Sequence, residues 1–444
     1  MTAGTDGMAA SGDAPTGQQL PGPLGGITVV EFGRFVTAPY AARLLSDLGA
    51  GVIKLETEHG DPFRSFGADP KLSAQFLALN RTKRSVRLNP RTKAGKAAVL
   101  ALLDSADVFI ENSRPGSMAR MGLDYETLKA RNPGLIYCSI TGAGTEGPYA
   151  ARPAYDAVGQ ALSGLASQFI DPEDPHVAGP NLSDSLTGMT AAYGILGALV
   201  HRSASGRGQL VEVDMITSGL ALLGAEAQVY FETGVVPGPY TRPGNSSSFV
   251  IRCSDGKLVA IHLSSVEKFW LGLSRGLERP DLVTDPRFEA RAGRIENYEQ
   301  LRQELVETMA KRSSTEWLSR FTAEDVPCAP VHDLADVFED KDLAALRLRR
   351  RLTGPERAMS TVAIPVRFDT TPVSDGYLPP ELGEHTHAVL RELGFDEQRL
   401  ADVLEADQPG QQATGAPGPG STDKTETGTA SHAPAHSSTT GEDR

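Results

Sequence analysis

Short β-branched runs alternate with amphipathic stretches along the body of this chain, the pattern of a parallel sheet covered by helices. Ile27-Thr28-Val29-Val30-Glu31-Phe32 reads as a strand, Ala38 to Leu48 spaces its apolar residues as a helix does, and Val52-Ile53-Lys54-Leu55 reads as the next strand. Together they predict a βαβ unit. A helix from Lys93 to Ser105, a strand Val108-Phe109-Ile110, a helix around Tyr125 to Arg131 and a strand from Leu135 to Ile140 repeat the alternation. The expected fold is therefore α/β, with a doubly wound, Rossmann-like parallel sheet. Farther on, Phe269 and Trp270 stand in an apolar run after Glu267-Lys268 and are expected in the core of a smaller domain.

Composition changes this picture at the ends. Residues 1–23 and 406–444 are mostly Gly, Pro, Ser, Thr, Ala and Gln, with little to bury, and are expected to be disordered tails. The 444 residues exceed what one ordinary core organises, so two domains are expected. A net charge of −13 argues against nucleic acid as a partner. The first 23 residues lack the basic start and apolar stretch of a signal peptide, and no apolar run reaches membrane-spanning length. The three cysteines, Cys138, Cys253 and Cys328, form no C-x-x-C pair, which suggests a reduced, cytoplasmic setting rather than a disulfide framework or a zinc site.

Candidate chemistry centres on Pro180-Asn181-Leu182-Ser183-Asp184-Ser185, a polar run that feeds a long helix pattern ending near His201-Arg202. On local pattern alone Ser183 or Asp184 would cap that helix. The sharper reading makes Asp184 a nucleophile, an anion favoured by the free amides and dipole of the helix start and able to attack an activated acyl group. Gly142-Ala143-Gly144-Thr145-Glu146-Gly147 is a literal G-x-G-x-x-G, yet Pro148 follows at once, so a glycine-rich turn is expected rather than a dinucleotide site. His385 and His387 are expected on the surface, and no histidine spacing suggests a metal.

Several blocks then carry a family resemblance: Phe32-Gly33-Arg34-Phe35-Val36-Thr37-Ala38-Pro39-Tyr40, Leu48-Gly49-Ala50-Gly51-Val52-Ile53-Lys54, Asn80-Arg81-Thr82-Lys83-Arg84-Ser85, Glu111-Asn112-Ser113-Arg114-Pro115-Gly116, Tyr155-Asp156, Ser183-Asp184-Ser185 and Gly206-Arg207-Gly208-Gln209. In order and spacing they resemble the family III coenzyme A transferases, which include formyl-CoA transferase and the carnitine CoA-transferases. The resemblance covers about residues 24–405.

The resemblance implies transfer of CoA from an acyl-CoA donor to a carboxylic acid, with no metal or organic cofactor and an aspartyl-CoA thioester on Asp184. It places Val36 and Thr37 along the thioester, and puts nucleotide contacts at Lys83, Arg84, Asn112, Ser113, Arg114 and Arg120. Lys83 and Arg84 are expected in a polar turn before a strand from Ser85 to Leu88, and Asn112 to Arg114 at a strand's carboxyl end. Tyr155 and Asp156 are expected at the same site, where the α-methylacyl-CoA racemases of this fold carry histidine before aspartate. A tyrosine is too weakly acidic to serve as their base near neutrality. By itself Asp156 reads as a helix cap before Ala157. Racemase and non-catalytic CoA-ester binder are the alternatives.

Gly244-Asn245-Ser246-Ser247-Ser248 lacks the glycine run that some transferases fold over the intermediate. The resemblance also implies an interlocked homodimer. Its domains would be a large CoA-binding one from residues 24–224 completed by 336–405, and a small α+β one from 225–335.

Overall fold

A parallel pair of strands buried on both faces needs a crossover helix between them, and this chain supplies one after another. The fold comes from a computed structural model, which describes residues 20–66, 73–355 and 357–406. The strands β1 (Thr28–Phe32), β2 (Gly51–Glu56), β3 (Lys83–Arg87), β4 (Val108–Glu111), β5 (Ile136–Thr141) and β6 (Leu210–Asp214) form one sheet in the order β3-β2-β1-β4-β5-β6. Every pairing within it is parallel. Helices α1 (Thr37–Asp47), α2 (Ala74–Asn80), α3 (Lys93–Asp104), α4 (Ser117–Met121), α5 (Tyr125–Arg131), α6 (Asp156–Leu162) and α7 (Leu182–Ser205) run between or beside them.

Neighbouring strand residues point to opposite faces, so each apolar run feeds two cores. On one face Val29, Val52, Val108 and Ile136 pack against Ala38, Ala41 and Leu45 of α1 and Ala191 and Ile195 of α7. On the other, Val30, Ile53, Val86 and Phe109 meet Val99 and Leu102 of α3 and, from the end of the chain, Val389, Leu390 and Leu400. The two helices on the first face approach closely because their contact is made of small residues. A Cβ at Gly188 would come within 2.9 Å of the Thr37 carbonyl oxygen. Gly208, which leads into β6, is required in the same way, since a Cβ there would sit 2.0 Å from the Leu135 oxygen.

A second sheet is antiparallel: β7 (Ser248–Arg252), β8 (Leu258–His262) and β9 (Cys328–Pro330). Helices cover it over a separate core that includes Ile251, Ile261, Leu273, Phe288, Leu305 and Trp317. Trp270 lies fully inside this core with Phe269 packed at its edge, as the apolar run suggested. A hairpin of β10 (Arg349–Thr353) and β11 (Ala358–Val362) follows, and the chain then returns to β3, where Thr82 N–H donates to the Tyr377 oxygen.

Two expectations change. His385 is buried, not exposed; its Nδ1 accepts the Ser85 amide proton at 3.2 Å, and desolvation holds its ring below the ordinary imidazole pKa. Of the expected N-terminal tail, Gly22 packs against Leu48 and Gly49 with φ of 145°; residues 1–19 and 407–444 lie outside the described residues. Among the described residues no helix is long and apolar enough to cross a membrane.

Candidate functional site

From β1 the chain crosses over to one side of the sheet and from β4 it continues on the other, so a crevice opens at their carboxyl ends, where open α/β sheets collect ligands. The loops that follow β1 and β4 are tied together by one side chain. Asn112 Oδ1 accepts from the Arg34 amide at 3.0 Å, while its Nδ2 donates to the Arg34 oxygen at 2.8 Å and to Thr37 Oγ1 at 2.9 Å. With both ends of its amide engaged, Asn112 shapes the crevice. Val36 and Thr37 are buried at the start of α1, and Phe35 before them adopts φ of 62°. The Phe35 ring meets the exposed Tyr155 ring edge-on at 5.7 Å.

Asp184 lies in the first turn of α7, and neither it nor Ser183 is the cap. Asn181 occupies that position without a side-chain capping bond. Ser183 points into the core, its hydroxyl unpartnered, where a Cβ on Gly159 would come within 2.3 Å. The amide of Asp184 instead donates to Asp156 Oδ1 at 3.1 Å, and Gln160 Nε2 holds the other Asp156 oxygen at 2.6 Å. Asp156 therefore caps α7 across the interface between two helices; in α6 it is the first residue, behind Tyr155 at the cap position. Residues four apart share a helix face, so Asp184 stands one turn before Gly188 on the side that meets α1.

Burial pushes the Asp184 carboxyl up to about 6, the Asp156 charge adds to this, and a hydrogen bond from Asn181 opposes it. The net direction is upward, opposite to the one a helix start alone would give an anion. A value near 6 still leaves the carboxylate as the main form at neutral pH.

The four expected cations separate. Lys83 does not lie in a polar turn: it opens β3, fully buried, with its ammonium enclosed by Glu31, the Pro39 oxygen and Asn80 at 2.8–3.0 Å. It is closed to a phosphate because all three of its N–H groups are used inside. Arg84, also on β3, makes a two-pronged pair with Glu392 at 2.8 Å. Arg114 and Arg120 both follow β4, Arg114 in the loop and Arg120 on α4. Arg114 is exposed with no side-chain partner among the described residues, and Arg120 donates to Ser117 Oγ at 2.9 Å. Ser113 lies beside them, its amide held by Glu111 Oε2 at 2.7 Å.

Between β5 and α6 the glycine-rich turn opens no helix before Asp156, in keeping with the Pro148 argument. The Gly144 amide is taken by Thr141 Oγ1 at 3.0 Å. Residues Thr241–Ser246 form a short helix, and Ser246, Ser248 and His262 are linked by contacts of 2.7 and 3.0 Å. Sequence reasoning missed Glu31, Lys54 and Asp61, which gather under the β1 loop. The available signal was a charge at the same alternate position of two apolar strands.

Comparison with known proteins matches residues 24–386 to the family described as CoA-transferase family III. The chain is 32% identical to the succinyl-CoA:glutarate CoA-transferase of Mus musculus, an alignment that spans 86% of this chain and 89% of the relative. It is 33% identical to the formyl-CoA:oxalate CoA-transferase of Streptomyces coelicolor, over 85% of this chain and 97% of that one. A crystal structure of a CAIB/BAIF family protein from Brucella suis superposes with a TM-score of 0.75 at 33% identity, and covers 84% of this chain and 100% of its own.

Proposed function

The chain belongs to CoA-transferase family III, and on that premise we propose that it carries CoA from an acyl-CoA donor to a carboxylic acid as a thioester on Asp184. The observation that carries this reading is the placement of Asp184: partly buried in the first turn of α7, its amide held by Asp156, on the face that meets the start of α1. An ionised Asp184 attacks the donor carbonyl, and the CoA thiolate leaves as an acyl-aspartyl anhydride forms. The thiolate then attacks the Asp184 carbonyl of the anhydride, which releases the donor's acid and leaves aspartyl-CoA. The acceptor carboxylate repeats the sequence in reverse and regenerates Asp184. Each step is a nucleophilic exchange at a carbonyl, so the proposal invokes no metal or organic cofactor.

Arg114 and Arg120 would bind CoA phosphates, where charge-assisted bonds are strong. The buried start of α1 at Val36 and Thr37 would line the thioester, with Tyr155 and Asp156 beside it. Small dicarboxylic acids and their CoA esters are the proposed substrate class, on the strength of the glutarate and oxalate in the relatives' names.

The working unit is proposed to be a homodimer. Met189, Tyr193 and Val200 expose apolar surface along α7, with Leu220, Tyr230 and Phe231 after it, and a second copy would cover that surface. A cytoplasmic setting is supported by three free cysteines, two of them buried. The test is intact-protein and peptide mass spectrometry after mixing with succinyl-CoA or formyl-CoA. A CoA-sized adduct on the peptide holding Asp184, lost in Asp184→Ala, is expected. If CoA esters bind tightly and no donor leaves an adduct, the covalent route is wrong.

A further inference from the structure

Glu31, Lys54 and Lys83 are fully buried, and Asp61 nearly so, beneath the loop that leads from β1 to α1. The first three come from adjacent strands and Asp61 follows β2. Lys54 Nζ lies 2.9 Å from both Glu31 Oε1 and Asp61 Oδ2 and donates to the Gly33 oxygen at 3.2 Å. Lys83 bridges the other Glu31 oxygen, at 3.0 Å, to the Pro39 oxygen at 2.8 Å. The carboxylates accept from the loop in turn: Glu31 Oε1 from the Gly33 amide at 3.0 Å and Asp61 Oδ1 from the Phe35 amide at 3.2 Å. Two cations and two anions balance.

Stability alone is a poor reason for such a cluster, since apolar replacements of buried ionic groups often fold as well. What apolar side chains lack is direction. Here the bonds end on backbone atoms of Gly33, Phe35 and Pro39, around a bulky residue in the left-handed region, a conformation that persists only where its surroundings over-determine it. Phe35 touches Tyr155, and Thr37 two residues later packs against α7 one turn beyond Asp184.

We propose that Glu31, Lys54, Asp61 and Lys83 form a positioning network for CoA transfer, holding backbone 33–37 in the shape that seats a thioester against Asp184. The proposal rests on the transferase reading above, and its test separates the two. The variants are the charge-balanced pair Glu31→Gln with Lys83→Met, and Phe35→Gly, which accepts the left-handed conformation without strain. Three quantities are read: melting temperature, hydrogen–deuterium exchange of residues 33–40 in the unliganded protein, and kcat and KM for the donor. Small misplacements near reacting atoms cost heavily, so kcat should fall about tenfold or more, with KM and melting temperature little changed and exchange in residues 33–40 clearly faster.

Wild-type kcat in both variants, unchanged exchange, or a loss of rate that merely follows a loss of melting temperature would each overturn the proposal. If the wild-type protein forms no adduct with any donor, the transferase reading fails. Exchange then still decides whether the network holds the loop: faster exchange in the variants supports it, and unchanged exchange overturns it.

Discussion

Charge is handled in opposite ways by the two sheets. Under the parallel sheet's crevice, Glu31, Lys54 and Lys83 have no exposed surface and their bonds run into loop backbone. Around the antiparallel sheet the core is apolar and aromatic, and most charges ring the outside, such as Arg302 with Glu299, Lys268 with Asp325 and Arg287 with Asp285; the buried exception, Arg294, lies over the Trp270 ring and reaches out to the exposed Glu267. Exposed pairs hold long side chains in a high-dielectric setting and contribute little. Buried ones are costly to desolvate and strongly coupled, so their presence marks a place where geometry matters more than economy of folding. Backbone under the crevice is held by directed bonds, whereas the antiparallel layer is held mainly by packing.

Asp184→Ala should abolish adduct formation and lower transfer by about 10³-fold or more, because no other group in the crevice is assigned the covalent step. Steady-state kinetics with succinyl-CoA checks this. Lys54→Met leaves Glu31 and Asp61 buried with one cation fewer and should destabilise the fold by about 3–5 kcal/mol, read by urea unfolding. A loss below about 1 kcal/mol would erase the contrast between the two sheets.

Asp184 sharpens the contrast through pH. Its native carboxyl, near 6, lies above the ordinary value of an unfolded aspartate, so the native state binds the proton more tightly. The sign follows: the native state loses stability as pH rises from about 4 to 6, and above that window the ionised carboxylate is a net cost of about 1–3 kcal/mol. Asp184→Asn should therefore raise the melting temperature at neutral pH and remove that pH dependence, while transfer by the wild type should decline as pH falls through about 6. Calorimetry and a pH–rate profile test both.

Arg114→Ala should raise KM for the CoA ester by about tenfold with stability unchanged, since this exposed guanidinium has no side-chain partner among the described residues and is proposed to bind a CoA phosphate. The smallest effect is expected on the antiparallel side. Arg302→Ala breaks an exposed pair one turn apart and should move stability by about 0.5 kcal/mol or less.

Much of this was legible along the chain. Ile27 to Phe32, Ala38 to Leu48 and Val52 to Leu55 read as strand, helix and strand because both faces of a parallel strand are buried and the apolar runs are nearly continuous. The helix expected around Tyr125 to Arg131 is found over Tyr125–Arg131. The candidate site was legible as a set of names and only partly as an arrangement. Arg114 and Arg120 follow β4 and are exposed, as read, but Lys83 turned inward to meet Glu31, which is 52 residues away in sequence and two strands away in the sheet. The same holds for His385, which meets Ser85 across a separation of 300 residues.

By itself, then, the sequence determined the kinds of element, their order along the body and the family blocks, since periodicity and turn chemistry act over a few residues. Which carboxylate caps α7, which lysine is closed to ligands and how the β1 loop is held were settled by the folded arrangement. Those outcomes depend on atoms brought within 3 Å by the closing of the sheet, and a hydrogen bond across helices or strands leaves no local trace.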